Sequence, residues 1–168
     1  MTLGTIQLTQ LSQKSDQTEL IEFEEFLPNL DTLTPVRGRL RVVHQGNYLE
    51  VTVKAETIVT LACDRCLQNY NHRLVVKTTE LIWLQEDQYQ FQTEPVEVEV
   101  PFEELVESLS PLGVFDAEAW LYEQFCLAFP HRKLCDPDCA GIPLDDTDTS
   151  KPIIDARWAS LSKLKLSD

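Results

Sequence analysis

Across residues 36–61 apolar and polar side chains alternate almost without a break, and that period of two restricts the fold more than any other feature. Val36, Gly38, Leu40 and Val42 alternate with Arg37, Arg39 and Arg41, as a half-buried strand requires. His44, Gln45, Gly46 and Asn47 form a turn, and the alternation resumes over residues 48–61 through Leu49, Val51 and Val53. Residues 73–84, rich in Val, Thr and Ile, read as another long strand, and Val96, Val98 and Val100 close the run. The pattern predicts an antiparallel meander curved around one apolar face. Upstream, Leu3, Ile6 and Leu8 suit a short first strand. Residues 9–33 read as an irregular acidic stretch with one strand in it, so that 1–33 forms a partly ordered arm.

After Val100 the period changes. Pro101 suits a first helical turn, Glu103 and Glu104 complement the dipole there, and Phe102, Leu105, Val106 and Leu109 follow at helical spacing. Asp116 is the expected N-cap of a second helix carrying Trp120, Leu121, Phe125, Leu127 and Ala128, which must stop before Pro130. Residues 131–154 form an acidic loop with two cysteines, and Asp155 can cap a last short helix bearing Trp158, Leu161 and Leu164. Trp120 and Trp158 read as core residues. Strands followed by two or three helices make the fold class α+β, and residues 1–168 are expected as one domain.

Charge narrows the choice of partner. Against 28 Asp and Glu stand 14 Lys and Arg, a net charge of −14. Proteins that grip phosphate backbones with their whole surface are basic, so general nucleic-acid binding is disfavoured, and a local basic stripe or a basic protein partner remains. The amino terminus shows no signal-peptide pattern, and no stretch approaches the roughly 20 apolar residues of a spanning helix. A cytoplasmic location with reduced thiols is the expectation, with neither a membrane nor a small-molecule substrate as partner.

Five cysteines include two close pairs: Cys63 and Cys66 as C-x-x-C at a strand tip, Cys135 and Cys139 as C-x-x-x-C in the acidic loop. Two pairs on separate turns are what a tetrahedral four-cysteine zinc site needs, and such a site contributes folding energy rather than chemistry. Free thiols are the plain alternative. A redox dithiol is disfavoured because its C-x-x-C should open a helix, whereas the sequence from Leu67 onward reads as strand. Cys126, in the apolar helix, reads as core.

Arg37, Arg39 and Arg41 share one strand face, with Lys54 on the next strand and Arg73 and Lys77 on a third. Either this ribbon contacts phosphates or an acidic partner, or it is a solvated face on which Glu50 and Glu56 pair across strands. Catalytic patterns are lacking. The three histidines sit in no recognisable catalytic context, and the nucleophile-elbow, phosphate-loop and dinucleotide motifs are missing. The run at 145–148 has no calcium-loop spacing.

The order of motifs resembles a known family. LACDRCL (61–67) is followed by VEVEV (96–100), DAEAWLYEQFCLAFP (116–130), LCDPDCAG (134–141) and DARWASLSKL (155–164). The chain is similar over roughly residues 34–168 to the YceD family, the large ribosomal RNA subunit accumulation proteins of bacteria and chloroplasts. That resemblance implies a non-enzymatic ribosome-biogenesis factor supporting accumulation or processing of 23S-type rRNA, in the cytoplasm or a plastid stroma. Its partner would be precursor rRNA or a large-subunit ribosomal protein. Cys63, Arg65 and Cys66 match the family's first motif and Cys135 and Cys139 its second, which adds Arg65 to Arg37, Arg39 and Arg41 as candidate contacts. Many relatives carry a further cysteine pair after the glycine. Here the residues after Gly141 hold none, which leaves only a zinc site shared across the chain. A zinc-stapled adaptor unrelated to ribosomes is the competing expectation.

Overall fold

The computed structural model describes residues 3–85 and 107–142. In chain order these form β1 (Thr5–Gln7), α1 (Leu8–Gln13), β2 (Thr18–Glu25), β3 (Val36–His44), β4 (Tyr48–Ala62), β5 (Asn69–Leu84), β6 (Ser108–Leu109), β7 (Val114–Asp116) and α2 (Ala117–Ala128). Strands β2 to β6 make one five-stranded sheet in sequence order, and β1 pairs with β7 in a separate two-stranded ribbon. The meander from β2 to β5 is antiparallel, and β6 joins β5 in parallel as a short edge. Among the described residues no helix is long and apolar enough to cross a membrane.

Alternation decides the two faces of the sheet. Ile21, Phe23, Leu40, Val42, Val51, Val53, Leu74 and Ile82 point inward and are buried, while Arg37, Arg39, Arg41, Lys54, Arg73 and Lys77 point outward. Both helices cover the inner face. Leu8 and Leu11 of α1 stand three residues apart on one side of a single turn and are fully buried. Asp116 caps α2, its Oδ1 accepting from the backbone N–H of Glu118 (3.1 Å) and Ala119 (3.0 Å). Trp120, Leu121 and Phe125 then meet the core. The Trp120 indole N–H (2.6 Å) and the Gln124 amide (3.0 Å) both donate to the Glu80 carboxylate, which fixes α2 along β5.

The α+β class and the helix between Asp116 and Pro130 match the sequence reading, and four expectations need correction. Residues 9–33 hold more than one strand: they include most of α1 as well as β2, and Leu11, Ile21, Phe23, Leu27 and Leu30 are buried. Leu109, assigned to a helix, lies in β6, where the backbone pairs with Leu84. Cys126 is exposed rather than core, because it stands about half a turn round α2 from Ala117. Leu127, at the edge of the buried stripe in the last turn, is exposed as well. The strand expected at 96–100, the helical residues Phe102, Leu105 and Val106, and the last helix with Trp158 lie outside the described residues.

Gly38 is the tight point of the sheet. A Cβ there would lie 2.7 Å from both Cα and Cβ of Ala55 on β4, and closer still to the Lys54 carbonyl oxygen. Backbone at that distance cannot step aside as a flexible side chain can. Gly38→Ala should lower stability by about 2 kcal/mol, seen as a lower urea midpoint with an unchanged denaturant slope. An unaltered midpoint would show that the two strands can part there freely.

Candidate metal centre

At the β4–β5 end of the sheet the chain reverses through Cys63, Asp64, Arg65 and Cys66. The Leu67 N–H donates to the Cys63 carbonyl (2.9 Å), and the Cys63 N–H to the Gln68 carbonyl (2.9 Å). This double closure folds the reversal into a knuckle that turns both sulfurs to one side. It also forces Leu67 to φ 62°, a left-handed conformation that branched and bulky residues avoid.

The loop after α2 supplies the other pair. The Asp136 carbonyl accepts from the Cys139 N–H (3.1 Å), and the Asp136 carboxylate from the Asp138 N–H (2.8 Å), so Pro137 sits at the crest of a tight turn. Two clamps hold loop to knuckle. Asp64 and Lys133 bond reciprocally, the Asp64 N–H to the Lys133 carbonyl and the Lys133 N–H to the Asp64 carboxylate, each at 2.7 Å. The Arg65 guanidinium donates to the Cys139 carbonyl at 3.0 Å.

The two residues inside C-x-x-C are therefore the ones that grip the second cysteine turn, and the sequence offered no signal for the Asp64–Lys133 pairing. Arg65, expected as a partner contact, has a place in this architecture.

All four sulfurs lie within 4.8 Å of one another. Cys63 and Cys139 are 3.9 Å apart, Cys66 and Cys135 3.7 Å. A disulfide would need about 2.05 Å. An ion bonded to four sulfurs at about 2.3 Å sets tetrahedral edges of about 3.8 Å, so the cage has the size a thiophilic metal requires. The electrostatics agree. Backbone N–H groups of Cys66 and then Cys135 aimed at its sulfur bring the Cys63 thiol down to about 6. Cys135 is pushed up to about 12, because hydrogen bonds to the sulfurs of Cys139 and then Cys63 hold its proton in place.

The arginine stripe lies elsewhere, on the outer face of the sheet. Arg37 reaches Glu56 (2.6 Å), Arg39 Glu22 (2.6 Å) and Arg41 Glu50 (3.4 Å), and Arg73 also pairs with Glu56. Arg73 and then Arg37 hold the Glu56 carboxyl below its usual range. Arg37, Arg39, Arg41, Glu22 and Glu56 line an open groove of about 1150 Å³ that also includes Thr52, Lys54 and Val75.

Residues 51–165 match the model of the family described as large ribosomal RNA subunit accumulation protein YceD. The chain belongs to the YceD family. The matched span starts within β4 and takes in all four clustered cysteines, Arg65, Lys54 and Lys77, while Arg37, Arg39 and Arg41 precede it. YceD proteins are thereby connected, through the family description, with accumulation of large-subunit rRNA. No curated protein and no solved structure matches the chain.

Leu67 generates a direct test of the knuckle. It is 67% exposed, so its side chain contributes little burial while its backbone is strained. Leu67→Gly should raise stability by about 1 kcal/mol in urea unfolding, and a loss would mean that the leucine makes a contact outweighing the strain.

Proposed function

We propose that this YceD protein is a non-catalytic assembly factor for the large ribosomal subunit. It acts in the cytoplasm, or in the stroma of a plastid, by binding precursor rRNA or a large-subunit ribosomal protein. The family match over residues 51–165 carries this reading. The closed form of the cysteine cage supports a binding role: with four protein ligands an ion has no open position for a substrate or an activated water. Among the described residues the sheet presents a broad, charged, open face.

Zinc is the ion we assign to the cage, on the four-sulfur donor set and its tetrahedral spacing. It would staple the loop after α2 to the β4–β5 knuckle. Native mass spectrometry should show one zinc per chain, lost in Cys63→Ser. Stripping the metal should lower Tm by about 10 °C, equivalent to roughly 3 kcal/mol in a chain of this size. No mass increment, or one indifferent to Cys63→Ser, would sink the assignment.

The same cage would also suit an adaptor unrelated to ribosomes, and sedimentation separates the two. On a sucrose gradient the tagged protein should travel with large-subunit precursor particles, and its depletion should leave precursor rRNA in excess. A protein that stays at the top of the gradient, with precursors unchanged on its removal, would refute the assembly-factor role.

A further inference from the structure

The outer face of the sheet has a different charge from the molecule that carries it. From β2 to β5 the outward positions hold six cations, Arg37, Arg39, Arg41, Lys54, Arg73 and Lys77, and four carboxylates, Glu22, Glu24, Glu50 and Glu56. Six against four leaves this face at +2, while the whole chain stands at −14.

Three of the cations fall in one row. Arg39 stands opposite Lys54, and Lys54 opposite Lys77. Neighbouring strands are about 4.8 Å apart, and like charges directly opposed destabilise a sheet, so packing alone gives no reason for the row. Glu22 compensates Arg39, but among the described residues no carboxylate comes within 4.0 Å of either lysine. Among the described residues the cations without a paired carboxylate on this face are thus Lys54 and Lys77, whereas Arg37, Arg39, Arg41 and Arg73 are paired.

Six residues further along the same face, Tyr48 stands opposite Trp83 with the rings edge to face and 5.7 Å between centroids. Both side chains are half-buried, so part of each ring faces outward. At about 3.3 Å per residue the aromatic pair lies roughly 20 Å from the lysine row. Between them stand Thr52 and Thr79, whose hydroxyls lie 3.1 Å apart and can each serve a sugar or phosphate oxygen, and then Glu50 opposite Leu81, the Glu50 carboxylate being paired with Arg41.

We propose that this outer face binds single-stranded RNA, with Lys54 and Lys77 on a backbone phosphate and the Tyr48–Trp83 pair as a stacking surface for a base. Cations for the backbone and an aromatic platform for the bases are the two elements that single-strand binding requires, and a sheet face holds both in fixed register. A duplex suits the surface less well, since its bases are stacked on each other and offer Trp83 no free face. The proposal rests on the ribosomal reading above and narrows its contact to RNA.

The test is fluorescence anisotropy of a labelled single-stranded RNA of about ten nucleotides, with the purified full chain and its metal, and a duplex of the same sequence for comparison. The single strand should bind more tightly than the duplex and weaken as salt rises. The double variant Lys54→Gln, Lys77→Gln should lose about ten-fold in affinity and flatten the salt dependence. Trp83→Ala should lose about ten-fold, and Trp83→Phe, which keeps a ring, should retain most of the affinity. Far-UV circular dichroism and metal content like those of the unaltered chain keep these variants interpretable. No binding, equal binding to the duplex, or full affinity in the lysine double variant would overturn the proposal. Migration with precursor particles by a chain that binds no RNA would overturn it alone, leaving the assembly-factor role with a ribosomal protein as the contact. RNA binding without such migration would support the face and remove the role.

Discussion

The pairing of β4 with β5 extends from Tyr48 opposite Trp83 to Ala62 opposite Asn69, and the other strands are positioned by it. A slip of one residue in that ladder would flip one strand against the other, turning out either Val51 and Val53 of β4 or Leu74 and Ile82 of β5 and driving Lys54 or Lys77 into the core. The hydrophobic cost of such a slip is what holds the register. Because the register is held, one end of the ladder always presents the cysteine knuckle and the other always brings the two aromatic rings together. The candidate metal centre closes one end of this hairpin, and the candidate RNA surface runs from its other end to the middle of the ladder.

Beyond the hairpin, the architecture depends on a few polar ties. Glu80 is the inward-facing carboxylate that accepts the Trp120 indole and the Gln124 amide, and without it α2 would be held by apolar contacts that specify no fixed orientation along the strand. The crossing from β2 to β3 is fastened in the same manner: buried Thr57 donates to the Thr34 carbonyl at 2.8 Å, and the Leu33 N–H to the Ile58 carbonyl at 2.7 Å. At the far end, Asp64, Arg65 and Lys133 draw the second cysteine turn onto the first. A segment with no regular secondary structure of its own can thus present two thiols at metal-binding distance.

Much of the fold was legible because alternation and capping are local. The period of two from Val36 onward marks β3 and β4 within a residue or so, and Asp116 with Pro130 brackets α2. Less local features were hidden. The segment around α1 carries only Leu8 and Leu11 at helical spacing, too few to separate a six-residue helix from an irregular stretch. Leu109 fits a helical period as well as a strand edge, and its place in β6 depends on pairing with a distant part of the chain. In the site, the four cysteines were legible from their spacing, since nearby thiols on two turns have few other uses. The clamps were not, because Asp64 and Lys133 are common surface types whose partnership exists only after folding. The arginines show the reverse problem: the stripe is conspicuous in sequence, while the glutamates that neutralise it lie on neighbouring strands.

The thiol cage joins positions far apart in the chain, Cys66 and Cys135 being separated by 69 in sequence and Cys63 and Cys139 by 76. Synthesis runs from the amino terminus, so the first pair leaves the ribosome ahead of the second by a lag on the order of ten seconds. During that interval the nascent hairpin exposes a bare dithiol, able to hold an ion only weakly and open to oxidation across Cys63 and Cys66. Until the second turn is made, the first pair has neither the other two thiols nor the clamps of Lys133 and the Cys139 carbonyl, so the hairpin must hold its knuckle by its own backbone bonds.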